Sequence, residues 1–195
     1  MRRVFVAMIA TSVLLAAPAA WAKTYAIDQD HTSVTFKIKH LFSKVAGVFK
    51  EFEGTIEYDP AQPEQWSTSA TIQAASIDTR VEKRDTHLRS KDFFHVEQYP
   101  TITFQSTQVT DVANGQGKLH GLLSIHGVEK PVVMDLTIHG AGQDPWGNER
   151  AGFTATVTIN RKDFGLTWNE VLETGQLLVG EEVEITLEVE GIAQS

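Results

Sequence analysis

The chain of 195 residues carries 25 acidic against 17 basic side chains, a formal net charge of −8, and no cysteine. Such an acidic chain makes a poor nucleic-acid binder, because phosphate contacts need clustered Lys and Arg; without thiols it can form neither disulfides nor a lipoprotein anchor. A hydrophobic core must therefore hold it together, and a chain of this size buries roughly 70% of its unfolded surface, enough for one domain.

Residues 1–22, MRRVFVAMIATSVLLAAPAAWA, show a basic start at Arg2 and Arg3, a short apolar run and Ala20-Trp21-Ala22. That is the plan of a secretory signal peptide, with cleavage predicted after Ala22. Loss of Arg2 and Arg3 makes the exported remainder, residues 23–195, still more acidic.

Strand patterns follow in order. In HTSVTFKIKH, Val34, Phe36 and Ile38 alternate with Thr35, Lys37 and Lys39, a period of two. From Val48 the same alternation puts Val48, Lys50, Phe52, Gly54, Ile56 and Tyr58 on one face, with Lys50 as the odd member. Asp59-Pro60 and Pro63 mark a turn. WSTSATIQAA presents Trp66, Ala70, Ile72 and Ala74.

Residues 76–106 break the pattern with a helical, charge-rich stretch. Thr79 and Glu82 have capping-box spacing, which predicts a helix start near Arg80, and Asp85 with Arg89 has the spacing of a surface ion pair. Only Val81 and Leu88 are apolar across the first turns, so this helix is expected over the body of the protein as a lid. Phe93, Phe94 and Val96 follow, and Tyr99 precedes Pro100, where extended backbone is favoured.

Ile102 and Phe104 belong to the next strand, Asn114-Gly115 is a hairpin signal, and KLHGLLSIHG and KPVVMDLTIHG form a pair joined over residues 127–131. Ala151, Phe153, Ala155, Val157 and Ile159 alternate against threonines. After an irregular stretch, Val183, Ile185, Leu187 and Val189 alternate against glutamates.

About eight strands at hairpin spacing predict an all-β sandwich or up-and-down barrel. An eight-stranded barrel has a lumen that is either packed or holds one small ligand. Small residues at Gly54, Ala70, Ala74, Gly121, Ala151 and Ala155 favour a cavity over a filled core, and strands of this length would enclose a tunnel on the order of 30 Å long. A long thin apolar ligand suits that space better than a compact polar one.

RDTHLRSKDFF and YPTITFQS, followed by LHGLLSIHGVEKPVVMDL, INRKDFGL and LLVGEEVEITLEVEG, resemble the YceI family of bacterial exported proteins from about Thr24 onward. The resemblance implies an extended, eight-stranded antiparallel lipocalin-like barrel with one lid helix across its opening. It also implies a polyisoprenoid or similar lipid in an apolar tunnel, periplasmic location, frequent dimers and no established catalysis. One departure from the family pattern is Arg80, where a small residue, commonly glycine, is usual.

The lumen candidates from alternation are Val34, Phe36, Ile38, Phe52, Ile72, Phe104, Phe153 and Val157. Between Arg80 and Asp92 five basic residues meet three acidic ones, and Arg80, Arg84 and Arg89 are candidates for an anionic headgroup, against the simpler reading of a solvated helix face. Arg161 and Asp163 are read as a pair fixing a turn.

The seven histidines do not point to a metal: His120 and His126 fall roughly 20 Å apart on an extended chain, and no H-E-x-x-H motif is present. No catalytic residues and no cofactor other than a bound lipid are expected. The function expected is a periplasmic carrier of an isoprenoid quinone, polyprenyl phosphate or fatty amphiphile, working as a monomer or homodimer with a membrane-associated donor or acceptor. The alternatives are a non-catalytic, stress-related interaction module with a filled core and an enzyme acting on lipid-linked substrates.

Overall fold

The computed structural model describes residues 22–194, so the predicted leader, save Ala22, lies outside the described residues. Eleven strands and one α-helix follow in chain order: β1 Lys23–Ile27, β2 Ser33–His40, β3 Ser43–Phe49, β4 Phe52–Tyr58, β5 Ser67–Gln73, β6 Ile77–Asp78, α1 Glu82–Arg89, β7 Thr101–Ala113, β8 Gln116–Ile125, β9 Val128–Gln143, β10 Glu149–Asn160 and β11 Val179–Ala193. The ladder runs β1-β4-β5-β7-β8-β9-β10-β11, and β1 returns to β11 with Tyr25 opposite Ala193. That last pairing closes an eight-stranded antiparallel barrel and decides against the sandwich.

The three remaining strands continue the first three of the barrel. β11 leaves β1 at Gly191 and pairs with β2 from Glu188 onward, β2 pairs with β3, and β3 with β6. The chain therefore contains three long strands, each broken once, and the breaks lie side by side. Asp28 starts the first break by accepting from the Asp30 N–H and the His31 ring. In the second, the N–H groups of Lys50 and Glu51 both donate to Ser76 Oγ, which sits in the third. The N–H groups of Asp30, Lys50 and Glu51, released from the ladders, thus find side-chain partners nearby.

These breaks correct the single alternation read over residues 48–58. The two-residue interruption at Lys50 and Glu51 changes parity, so Phe49 and Phe52 are both buried and Val48 is not on their face. Lys50 is no longer an intruder on an apolar face. It stands in the break and forms an ion pair with Asp78. β1 and the first half of β3 were not anticipated, since KTYAI and SKVAG are too short to show a sustained alternation. Pro131, assigned to a turn, lies within β9 opposite Leu122; the turn is the two-residue His126-Gly127, with φ of 53° and 74°. Asn114-Gly115 is left-handed at both positions, as the primed hairpin turn requires.

Past Gln73 the barrel has a gap, because β6 turns to pair with β3 while β7 begins only at Thr101. Helix α1 and residues 90–100 fill it. The predicted capping box does not form: Val81 is the N-cap, and no side chain caps the helix. Thr79 instead lies buried, its N–H and hydroxyl both donating to Asp85 Oδ1 at 2.9 and 2.5 Å. The expected Asp85–Arg89 pair is likewise absent. Arg89 donates to the carbonyls of Ala75 and Ile77 and makes a long contact with Glu82, stitching the helix to the third break.

Candidate functional site

The barrel core falls into two apolar groups. One surrounds the lid end, where Phe49, Ile77, Ile102, Ile125, Ile159 and Phe164 receive Leu88, Phe94 and Val96 from the lid segment. The other, at the far end, is an aromatic cluster in which Tyr58 lies 4.7 Å from Trp66 and 5.1 Å from Phe153, centroid to centroid. A single cavity of about 840 Å³ runs through both groups, from Tyr58, Trp66 and Phe153 to Arg161, Trp168 and the inner side of α1. Strand β10 follows its length: Phe153, Ala155, Ile159 and, just beyond the strand, Arg161 all face it, a run of roughly 26 Å at ~3.3 Å per residue.

Val183, Ile185 and Leu187 face inward by register yet are only partly buried. They border the cavity instead of filling a core. Seven of the eight lumen candidates, Val34, Phe36, Ile38, Phe52, Ile72, Phe104 and Phe153, are on its wall. Val157 shares their face and packs against both core groups, but is not part of the wall.

The small residues divide more unevenly. Ala70 and Ala155 border the cavity and leave it wide. Gly54 and Gly121 do not, because neighbours occupy their side-chain positions: a Cβ on Gly121 would lie 2.3 Å from the Phe104 ring, and one on Gly54 2.8 Å from Ile27 Cδ1.

The three lid arginines have three different environments. Arg80 is exposed and sits at φ 65°, the left-handed region that glycine enters without strain, which is the physical reason for a glycine to be expected there. Arg84 borders the cavity, with its guanidinium committed to the hydroxyl and carbonyl of Thr79 at 2.7 and 2.8 Å. Arg89 is turned to backbone carbonyls and is not on the wall.

Arg161 is the residue that sequence reasoning misplaced. It makes no ion pair with Asp163; it is 3% exposed, donates to the carbonyls of Gly180 and Leu166, and leaves Nη2 buried without a hydrogen-bond partner. Burial pushes its pKa down, and Glu181 only partly offsets this. That glutamate is already paired with Lys162. The signal was present in the sequence, since 161 continues the inward parity of 151, 153, 155, 157 and 159. Trp168, also missed, holds the lid: its ring lies 4.8 Å from His87 and 5.1 Å from Phe93. It sits in an irregular loop where no periodicity could flag it.

The histidines are dispersed: His120 contacts Thr110, His139 contacts Thr154, and His126 packs on Tyr99. Among the described residues one group, Asp28, His31 and Glu190, is close enough to share a cation. Arg150 already neutralises it, reaching Asp28 at 2.7 Å, Glu190 at 2.5 Å and Asp144 at 2.8 Å. It is a clasp tying the β9–β10 turn to the first strand break.

Comparisons with known proteins return the same fold. The YceI-like domain matches residues 25–191. The chain belongs to the YceI family. A UPF0312 protein of Ectopseudomonas mendocina is 43% identical over 178 residues, covering 90% of each chain. The crystal structure of BcnA from Burkholderia cenocepacia superposes with a TM-score of 0.75 at 26% identity, over 84% of this chain and 98% of that one. At the level of fold alone, a polyisoprenoid-binding domain from Saccharophagus degradans matches with a TM-score of 0.64 at 16% identity, over 90% of this chain and all of the other.

Proposed function

We propose that this YceI-family barrel is a carrier that shields a polyisoprenoid or similar long-chain lipid from water, and that its amino-terminal stretch exports it to the periplasm. The supporting observation is the cavity itself: about 840 Å³, with a mostly apolar inner surface, continuous from the aromatic cluster to the lid. Each buried CH₂ contributes ~0.8 kcal/mol, so a long chain gains well over 10 kcal/mol gross before ordering costs are subtracted. A ligand of that shape draws its affinity from its tail.

The wall chemistry favours binding over catalysis. Thr35 and Thr68 donate their hydroxyls to the carbonyls of Thr186 and Thr55, the structural use of a strand threonine, and neither meets a histidine base. His87 contacts Asp92 and the Trp168 ring, so it serves the lid. In this reading loading and unloading occur at a membrane-associated donor or acceptor.

The test is mass spectrometry of an organic extract of the mature protein, purified without detergent from the cells that make it. A stoichiometric isoprenoid or other long-chain amphiphile is expected. An empty extract, from protein that also fails to take up added polyprenyl lipid, would sink the carrier reading.

A further inference from the structure

The basic side chains on the cavity wall gather near the lid. Lys83, Arg84, His87 and Arg161 border the cavity there, whereas the single carboxylate on its wall, Glu57, belongs to β4 at the far end and accepts from the Thr24 hydroxyl. Arg161 differs from the other cations. A guanidinium offers five N–H donors; this one donates to two neutral carbonyls, and its Nη2 has no partner. Among the described residues no carboxylate is in ion-pair contact with it, although it is buried against the cavity. A buried cation without a counter-charge is costly unless something supplies one.

We propose that Arg161 receives an oxyanion headgroup of the bound lipid, so that the preferred ligand is an anionic long-chain amphiphile of the prenyl phosphate or diphosphate class, seated head toward the lid. This rests on the carrier reading and adds the direction and charge of the cargo to it. Arg84 is a secondary contact at most, because Thr79 holds its guanidinium. The fork of Arg161 suits two oxygens of one phosphate group, which a neutral alcohol cannot present.

Delipidated protein is titrated calorimetrically with geranylgeranyl diphosphate, geranylgeraniol and inorganic diphosphate, for the wild type, Arg161→Gln and Arg161→Lys. Wild type is expected to bind the prenyl diphosphate at least about tenfold more tightly than the alcohol, the worth of one charge-assisted hydrogen bond. Arg161→Gln is expected to remove most of that preference by bringing the diphosphate affinity down toward that of the alcohol, and Arg161→Lys should fall between.

Equal affinities of wild type for diphosphate and alcohol would overturn the headgroup assignment while leaving the carrier reading intact. Binding of neither prenyl compound would instead strike the carrier reading. Inorganic diphosphate binding as tightly as the prenyl form would show an anion site without a tail and refute the proposal, as would a preference that survives Arg161→Gln. Should that variant fail to fold, the wild-type comparison decides alone.

Discussion

Gly121 and Ala155 show how differently two small residues can serve one wall. The missing side chain of Gly121 is where the Phe104 ring lies, with Gln105 O only 2.6 Å from an added Cβ. Gly121→Ala should therefore cost ~1–3 kcal/mol through forced repacking. Urea unfolding is the check, and a midpoint equal to wild type would show that the ring yields freely. Ala155 borders the cavity itself, so Ala155→Phe projects a ring into open space. We expect a folded protein whose extract carries much less lipid than wild type; undiminished lipid in a folded variant would move the binding path elsewhere. Arg161 shows that parity reaches past the end of a strand: the residue after β10 keeps its inward direction, and its polar character is what disguises it in a search for apolar alternation.

At the scale of elements, the lid is held by contacts that helix rules do not foresee. Helix α1 has a weak apolar face and no side-chain cap, so its stability comes from what it touches. Asp85 is buried and accepts twice from Thr79, Arg89 reaches the carbonyls of Ala75 in the third strand break and of Ile77 at the start of β6, and Trp168 closes over His87 and Phe93. Removing the carboxylate in Asp85→Ala leaves two buried donors unsatisfied, a loss of ~1–3 kcal/mol. Because the damage falls on the lid, faster release of a bound prenyl lipid and faster amide exchange over residues 79–96 should accompany it. Unchanged release would make the lid irrelevant to retention. The three side-by-side breaks explain the lid in turn, since by diverting β6 to β3 they open the gap that α1 covers.

For the whole molecule the clasp around Arg150 and the buried Tyr25 set opposite pH limits. Arg150, then His31, hold the Asp28 carboxyl down at about 2 from 3.8, and Arg150 and Asn148 hold Asp144 well below the usual carboxylate range. A depressed carboxylate stabilises the fold above its unfolded pKa, and the contribution is lost as pH falls through the folded one. The thermal midpoint should thus drop between pH 3.8 and about 2. Arg150→Gln should melt lower near neutrality and converge on wild type at the acid end; parallel curves would remove the clasp from the account. Tyr25 is pushed up to about 12 by burial and by its hydrogen bond to Glu149, so its contribution is present below pH 10 and disappears toward pH 12. Tyr25→Phe should flatten that alkaline limb.

The all-β class, the antiparallel hairpins and seven residues of the cavity wall were legible in the amino-acid order, because period-two alternation is a local property that each strand writes for itself. The Asn114-Gly115 turn was legible for the same reason, since two left-handed positions need such residues. Closure was legible only through the family resemblance, which implied the eight-stranded barrel; alternation left sandwich and barrel open, because the pairing of Tyr25 with Ala193 joins opposite ends of the described chain and leaves no mark on either segment. The parity change at Lys50 was not legible, since it depends on Ser76 standing ready to take two stranded N–H groups. The alternation determined which side chains face inward. Only the tertiary structure decided that they border an open tunnel with a buried cation at one end, because the space between walls, and the charge left unpaired within it, are set by distant segments meeting.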